Sequence, residues 1–155
     1  MDRERMSVIN SSNPPLTHRS TVQQWECDHM GHLNVRHYMA KFDDAAWTFL
    51  SMLGLTNHYF QECQAGVAAV DHHVTYKREL MPGDCVEIHT KLALLDGRKF
   101  KLIHEMTHSV SGEVAASCEL FGVHMDRQER RAVPFPDHIL AAGQKYLTVQ
   151  EEAAQ

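Results

Sequence analysis

The longest regular pattern of apolar residues in the chain runs from residue 35 to residue 53. Apolar side chains recur there at intervals of three and four, which is typical of an amphipathic α-helix of about five turns. Asn34 is a favourable N-cap residue before this segment, and Gly54 is a favourable terminator after it. The charged residues of the segment fall outside its apolar face, namely Arg36, Lys41, Asp43 and Asp44. We therefore expect a long helix that packs into a large hydrophobic surface.

Five other segments show the β-branched and aromatic content, or the two-residue alternation, that is typical of β-strands. One precedes the helix and four follow it, over residues 17–26, 66–80, 85–95, 99–110 and 113–125. Short turn signals separate the last four segments, at Pro82-Gly83, Asp96-Gly97 and Ser111-Gly112. Sequential antiparallel strands with one buried helix indicate an α+β fold, in which a curved sheet wraps around the helix. The exposed edges of such a sheet favour dimerisation edge to edge.

A zinc-peptidase signature, His104-Glu105-x-x-His108, lies inside the fourth of these strand segments. The signature binds zinc only on a helix, where residues four apart share one face. On a strand, residues four apart are separated by ~13 Å, and Glu105 points to the opposite face. We therefore expect no metal at this position. His104 and His108 are expected to point inward or towards an interface and to find hydrogen-bond partners there.

Length and composition narrow the classes of function. A chain of 155 residues with 43% hydrophobic and 23% charged residues is expected to form one globular domain. The formal net charge of -5 argues against a nucleic-acid partner, and no run approaches the ~18 apolar residues of a membrane span. The four cysteines form no C-x-x-C pair, and the N-terminus does not resemble a signal peptide. We therefore expect reduced thiols, a cytoplasmic location and no membrane partner.

The chain divides into three parts. Residues 1–16 are expected to be a short disordered lead. Residues 17–126 contain the predicted strands and the long helix, and they are expected to form the domain. Residues 127–155 form a tail with VPFP near its start, and a short C-terminal helix is expected there.

The polar segment before the helix, CDHMGHLN at residues 27–34, is where chemistry is expected. Gly31 predicts a turn, so the segment is a loop. A helix N-terminus presents unpaired N–H groups and a positive dipole end, which would polarise an acyl carbonyl as an oxyanion hole does. Asp28 could then attack the carbonyl or activate water. The alternative interpretation is a capped turn without a catalytic role.

Two motifs resemble the hotdog-fold acyl-CoA thioesterases of the 4-hydroxybenzoyl-CoA thioesterase type. The first is C-D-H-M-G-H-L-N followed by Y-M-A-K-F-D-D-A, at residues 27–34 and 38–45. It is similar to the family's D-x-D-x-x-G-H-V-N-N, which is followed by Y and F-x-x-A. The second is H-V-T-Y-K-R-E-L-M-P-G-D-C-V-E-I at residues 73–88, similar to a strand–turn–strand unit with a P-x-G-D signature. The resemblance covers roughly residues 17–126.

The resemblance implies a hotdog fold, with a five-stranded antiparallel sheet around one central helix. It also implies a homodimer or homotetramer with active sites between subunits, and hydrolysis of an acyl-CoA thioester without metal or cofactor. Asp28 matches the catalytic aspartate, as nucleophile or general base. The backbone N–H of Val35 falls at the oxyanion-hole position, with Asn34 beside it. The chain departs from the motif at two positions, because Glu26 replaces the first aspartate and Val35 stands where relatives carry Asn, Tyr or His.

The remaining candidates would bind the substrate. Candidates for the acyl side are Trp25, Gly31, His32, Tyr38 and Trp47, and candidates for the CoA phosphates are Lys77, Arg78 and Arg98. A solvated basic strand face is the alternative for the three cations, and core packing is the default expectation for both tryptophans. An aromatic lining near Asp28 would suit a quaternary ammonium acyl group through cation–π attraction. Some relatives of the family that the chain resembles are betainyl-CoA thioesterases, although no single residue here demands that substrate.

Two other classes of function stay open at this point. A hotdog hydratase acting on enoyl thioesters would use the same fold with a carboxylate and a histidine placed across the subunit interface as an acid/base pair. A non-catalytic acyl-CoA-binding protein would keep the groove and would not need Asp28. Pairing of Asp28 with a histidine distinguishes the first class, and the effect of Asp28→Asn on turnover distinguishes the second.

Overall fold

The computed structural model describes residues 13–148. Within this range the regular elements are six strands and three helices, with one 3₁₀ turn at Gln24–Glu26. In chain order they are β1 (Leu16–Thr21), α1 (Val35–Met52), α2 (Asn57–Glu62), β2 (Ala65–Tyr76), β3 (Cys85–Asp96), β4 (Lys99–His108), β5 (Val114–Asp126), β6 (Arg131–Ala132) and α3 (Asp137–Gln144). No helix of the described range is long and apolar enough to cross a membrane.

Five strands form one antiparallel sheet in the order β1-β3-β4-β5-β2, and the two-residue strand β6 adds to β5. One row across the sheet shows the register, because Thr90 pairs with His104, His104 with Cys118 and Cys118 with Val74. β2 follows the helices in the chain and lies at one edge of the sheet, beside the last long strand. The predicted hotdog fold, with a five-stranded antiparallel sheet and one long helix, is confirmed.

α1 begins and ends close to where the apolar pattern predicts. Asn34 has an extended backbone, and its side-chain Oδ1 accepts a hydrogen bond from Arg36 N at 3.1 Å, as an N-cap does. The helix packs against β1, β3 and β4. Its buried face consists of Tyr38, Lys41, Phe42, Ala45, Ala46, Phe49 and Leu50. Placing Lys41 outside the buried face was therefore wrong. Its ammonium is tolerated there because it is paired with the carboxylate of Glu26.

Two hydrophobic clusters divide the core along α1. One surrounds the N-terminal half of the helix and includes Tyr38, Phe42, Val86, Ile88 and Met106. The other surrounds the C-terminal half and includes Phe49, Leu53, Leu102, Phe135 and Ile139. Because Phe49 is fully buried, truncating it to alanine should cost about 3–5 kcal/mol of stability.

The tail packs into the second cluster. Phe135 and Ile139 are buried, and Thr148 N donates to Leu92 O at 3.1 Å. A Cβ added to Gly143 would lie 2.2 Å from a methyl group of Leu95, so only glycine lets α3 approach the sheet this closely. The expected short C-terminal helix is present as α3. The packed structure continues past residue 126, the expected end of the domain.

Several boundaries differ from the expectation. β1 ends at Thr21 instead of residue 26, because Glu26 Oε1 accepts from Gln23 N at 2.8 Å and stabilises the 3₁₀ turn. β2 ends at Tyr76 instead of residue 80, and α2 was not expected. At the N-terminus, Pro15 O accepts from Thr90 N at 3.1 Å, so the sheet begins before residue 17. The predicted disorder of residues 1–12 lies outside the described range.

The zinc-like signature lies on β4, as predicted. His104 is buried, its Nδ1 lies 2.8 Å from Thr90 Oγ1, and burial lowers its pKa to about 4. Its Nε2 has no hydrogen-bond partner among residues 13–148, so only one of its two ring nitrogens meets the expectation. His108 Nδ1 accepts from the N–H groups of Val110 and Ser111 at 3.3 and 3.2 Å. Both histidines therefore belong to local packing and turn structure.

Candidate active site

The loop between the 3₁₀ turn and α1 is closed by backbone hydrogen bonds. Asp28 N donates to His32 O at 3.1 Å, and Gly31 N donates to Asp28 O at 2.9 Å. Gly31 has φ +85°, which a residue with a side chain adopts only with strain. Leu33 N donates to Leu80 O at 2.8 Å and fastens the loop to the segment after β2. The loop therefore has a defined shape, and Asp28 takes part in two of the backbone hydrogen bonds that close it.

The carboxylate of Asp28 accepts two hydrogen bonds. Asn34 Nδ2 donates to its Oδ2, and Met30 N donates to its Oδ1, both at 2.8 Å. The Asn34 side chain first, and then the Met30 N–H, hold the pKa of Asp28 below its ordinary value. Asp28 is therefore ionised at neutral pH, which either a nucleophile or a base requires.

Asn34 joins Asp28 to the helix. Its Oδ1 caps α1 by accepting from Arg36 N, its Nδ2 donates to Asp28, and its backbone N donates to Glu26 O at 2.9 Å. Each polar atom of the side chain faces a group of the matching kind, which fixes the orientation of the amide. The residue that caps the helix therefore also aims the carboxylate.

Val35 is the first residue of α1, so its N–H has no acceptor within the helix. No acceptor for this N–H is found elsewhere in the described part of the chain either. The Val35 side chain is 56% exposed, so the N-terminus is open to a ligand. A free N–H at the positive end of the helix dipole, close to an ionised carboxylate, can polarise an acyl carbonyl.

A cavity of about 330 Å³ opens beside this N-terminus. It is lined by His32, Leu33, Val35, Tyr38, Tyr76, Lys77, Arg78 and Glu79. The phenol of Tyr38 donates to Arg78 O at 3.2 Å, and its ring meets that of Tyr76 edge to face at 5.1 Å. Burial raises the pKa of Tyr38 to about 12, so its hydroxyl stays protonated. The loop and the segment after β2, which carry the two sequence motifs, therefore form one pocket.

The charges of the pocket are mostly paired. His32 Nε2 lies 3.1 Å from Glu79 Oε2, and Arg78 forms an ion pair with Glu113. Lys77 is exposed and has no carboxylate partner within residues 13–148. Lys77 is thus the cation of the pocket that is most available to an anionic ligand.

The structure brings together some of the predicted site residues and separates others. His32, Tyr38, Lys77 and Arg78 share the pocket with Val35, and Asp28, Gly31 and Asn34 form the adjoining loop.

Arg98 and Trp47 lie away from this pocket. Arg98 follows the far end of β3, roughly 37 Å along a 12-residue strand from the end next to the loop. Trp47 is about 18 Å along α1 from Val35 and contacts Phe60 edge to face at 6.1 Å. Within one chain, neither can act on a group held at Val35.

Trp25 lies beside the loop but outside the core. It is 72% exposed and meets the ring of His37 edge to face at 5.3 Å. Trp47 is 46% exposed. The expectation of core packing is therefore wrong for both tryptophans.

Three further residues belong to the site and its support, namely Tyr76, Glu79 and Lys41. The first two flank Lys77 and Arg78 within the second motif, which was the available signal for them. Lys41 stands three residues after Tyr38 and four before Ala45, so its spacing follows the buried face despite its charge.

The fold and the two motifs agree with a match to a known family. Residues 22–143 match the model of the Thioesterase-like superfamily, which is most of the chain. The chain belongs to this superfamily. Within residues 13–148, no three His, Cys, Asp or Glu side chains are close enough together to hold a metal ion.

Individual relatives are distant in sequence. The chain is 24% identical over 120 residues to a betainyl-CoA thioesterase from Pseudomonas aeruginosa, covering 77% of this chain and 75% of that one. It is 25% identical over 148 residues to an L-carnitine dehydrogenase/betainyl-CoA thioesterase from Agrobacterium fabrum, covering 96% of this chain and 30% of the relative. The chain thus spans less than a third of that longer protein.

Among solved structures, a Staphylococcus aureus hypothetical protein in complex with CoA has the same fold. The TM-score is 0.80 at 23% identity, and the match covers 90% of each chain.

Proposed function

We propose that the protein hydrolyses an acyl-CoA thioester through Asp28 at the N-terminus of α1. The observation that carries the proposal is the ionised Asp28, aimed by Asn34, next to the free N–H of Val35. Membership of the Thioesterase-like superfamily supports it. The acyl carbonyl would accept a hydrogen bond from Val35 N, which would stabilise the oxyanion that forms on attack.

Asp28 could serve the reaction in two ways. As a nucleophile, its carboxylate forms a bond to the carbonyl carbon and the C–S bond breaks. CoA then leaves as a thiolate, and water hydrolyses the mixed anhydride. As a general base, Asp28 takes a proton from the water molecule that attacks the carbonyl. The lowered pKa of Asp28 keeps the carboxylate ionised, which both roles require.

Lys77 is proposed to bind a phosphate of CoA. It is exposed at the pocket and lacks a carboxylate partner in the described structure, whereas Arg78 is engaged by Glu113. The Staphylococcus aureus neighbour was solved with CoA, which supports a CoA groove in this fold. Arg98 could contribute only from a neighbouring subunit, given its distance along the sheet.

The acyl group is proposed to be small and to carry a quaternary ammonium. Tyr76 and Tyr38 line the pocket, Glu79 adds a carboxylate, and Trp25 is exposed shortly before the loop in the chain. Aromatic faces attract such cations by cation–π interaction. The similarity to the betainyl-CoA thioesterase from Pseudomonas aeruginosa supports this choice.

The protein is further proposed to form a homodimer through β2. This 12-residue strand is an edge of the sheet, and Val70 on it is 61% exposed. A second copy pairing antiparallel with it would satisfy the free backbone groups and continue the sheet. Because Tyr76 ends this strand, the partner would border the pocket. Assembly into a homotetramer and the cytoplasmic location both stay predictions.

The competing functions fit less well. A hydratase would need a histidine across the subunit interface beside Asp28, and within the described chain this carboxylate is already held by Asn34 and the Met30 N–H. A binding protein without catalysis would not need an ionised, aimed carboxylate.

Thiol release from a panel of acyl-CoAs with EDTA present tests the proposal. The panel contains short aliphatic, aromatic and betainyl thioesters. Asp28→Asn should abolish release, and Asp43→Asn, the same change on the exposed face of α1, should leave it intact. Betainyl-CoA should be the best substrate. No hydrolysis of any member by a folded dimer would contradict the proposal, and intact binding without turnover would favour the binding protein.

A further inference from the structure

A buried ion pair lies directly behind the loop. Glu26 and Lys41 are 6% and 5% exposed, and Lys41 Nζ lies 3.1 Å from Glu26 Oε2 and 3.4 Å from Oε1. Lys41 Nζ also donates to Ser20 Oγ at 3.0 Å, and Glu26 Oε1 accepts from Gln23 N at 2.8 Å. The other group that faces the carboxylate is the ring of His37, whose Nδ1 is 3.9 Å from Oε2.

A buried ion pair is by itself weak evidence of a stabilising role. Removing two charges from water is costly, and replacing a buried ion pair with apolar residues of similar volume is often neutral or stabilising. Three polar groups complete its surroundings, namely Ser20 Oγ, Gln23 N and the ring of His37. A buried ion pair differs from apolar packing in one useful respect, because its hydrogen bonds specify a single geometry.

The pair joins the two ends of the loop. Glu26 is the last residue of the 3₁₀ turn before the loop, and Lys41 lies in the second turn of α1 after it. The backbone of Glu26 accepts from Asn34 N at 2.9 Å, and the side chain of Asn34 donates to Asp28. A shift of Glu26 would therefore move Asn34 and, through it, the carboxylate of Asp28.

We propose that Glu26 and Lys41 are positioning residues that hold Asp28 at a fixed distance from the Val35 N–H. The proposal rests on the thioester hydrolysis proposed above. Neither residue lines the pocket, so neither is expected to contact substrate. Their loss should lower kcat and leave KM nearly unchanged, because misplacing a reacting group by about 1 Å can cost about a hundredfold in rate.

The test separates positioning from stability with two variants that behave in opposite ways. In Glu26→Leu/Lys41→Met, no unpaired charge remains buried and the acceptor of Gln23 N is lost, so the double variant should lose less stability than Leu53→Ala. The kcat of the double variant should nevertheless fall at least tenfold on a thioester that the wild type hydrolyses, with KM within about threefold. Leu53→Ala, about 27 Å along α1 from Val35, should lose stability and keep its kcat within about twofold.

A second readout does not depend on activity. ¹³C NMR titration of Asp28 in the unliganded protein reports its hydrogen bond from Asn34. The pKa of Asp28 should move up towards the ordinary value in the double variant and stay at the wild-type value in Leu53→Ala. If the wild type hydrolysed no thioester, the proposed function would fail while this titration would still test the positioning role.

Two results would overturn the proposal. One is a double variant with wild-type kcat, and the other is a double variant whose Asp28 titrates as in wild type. The single variant Lys41→Met is not used for this purpose, because it leaves Glu26 buried without its partner and should be destabilised for that reason alone.

Discussion

The two ends of α1 lie in different chemical surroundings. At the N-terminal end, called the site end here and comprising residues 26–42, charges and hydrogen bonds link the loop, the ion pair and the helix cap. At the C-terminal end, called the tail end and comprising residues 46–55 with α3, the contacts of the buried side chains are mostly apolar. Both halves of the helix thus pack into apolar clusters, and the site end adds a network of directional contacts.

The difference explains how a small domain can carry a polar site without losing its fold. Hydrophobic burial is non-directional, so the tail end can stabilise the chain while tolerating small shifts. Hydrogen bonds are directional, and the site end uses them where distances matter. Substitutions at the two ends should thus separate activity from stability.

Apart from changes at Asp28 itself, the largest effect is expected from Val35→Pro at the site end. Proline at the first helical position keeps the helix and removes only the N–H, and Asn34 already has the extended backbone that a residue before proline needs, with ψ 147°. The kcat should fall about 10²–10³-fold, the usual cost of losing one oxyanion donor. Val35→Ala is the matched control and should retain activity. Equal rates for the two variants would show that this N–H does not assist the reaction.

Ile139→Ala should show the reverse behaviour at the tail end. Ile139 is fully buried in the second cluster, so the cavity should cost about 2–5 kcal/mol in the free energy of unfolding. The kcat should stay within about twofold of wild type, since the site end is unchanged. Urea unfolding and steady-state kinetics on the same preparation check both values. A large loss of kcat in a folded sample of Ile139→Ala would contradict the claim that the tail end affects stability and not activity.

His104 lies between the two ends and should make stability depend on pH. Burial lowers its pKa to about 4, against ~6.5 for an exposed histidine, so the unfolded chain binds more protons between these values. The contribution of His104 to the free energy of unfolding should be complete above pH 6.5. About 3 kcal/mol of that free energy should be lost as the pH falls to 4.

Urea unfolding at a series of pH values measures this loss. His104→Gln should have a shallower pH dependence than wild type, and Met106→Leu, a volume-conserving change at a buried position of the same strand, should match wild type. The same slope in His104→Gln and wild type would contradict the assignment.

Asn34→Ala should give the smallest change in stability and a distinct change in pH profile. Loss of the cap should cost about 1 kcal/mol. Without the amide donor the pKa of Asp28 should rise, so the acidic limb of kcat/KM should move to higher pH. Asn34→Ser restores a capping oxygen but not the amide donor. Its stability should therefore return close to the wild-type value, while the acidic limb of its kcat/KM should stay at a higher pH than in wild type. Recovery of both would assign the effect to the cap alone.

Much of the fold followed from periodicity. The helix could be predicted because apolar residues recur at intervals of three and four over residues 35–53. Two of the later strands could be predicted because apolar and polar residues largely alternate over residues 85–95 and 99–110. The end of β1 at Thr21 could not be predicted, because residues typical of strands occur as far as Trp25. The strand ends earlier because the hydrogen bond from Gln23 N to Glu26 stabilises the 3₁₀ turn. Local hydrogen bonds of this kind leave no periodic signal.

The site was predictable in part. The two motifs indicated Asp28 and the pocket cations, but the burial of Lys41 was missed because hydropathy counts every lysine as exposed. The separation of Arg98 from the site could have been predicted from the sequence. Arg98 follows β3 and the Pro82-Gly83 turn precedes it, so the two lie at opposite ends of one strand. The exposure of Trp25 and Trp47 could not be predicted, because it depends on tertiary packing.

Single-turnover thiol release with enzyme in excess tests the central role of Asp28 most directly, because it isolates the chemical step from binding and product release. Wild type should release CoA from the best substrate of the panel, and Asp28→Asn should slow that step by about 10²–10⁴-fold while still binding the thioester. Asp43→Asn should match wild type. Release by Asp28→Asn at the wild-type rate would contradict the account.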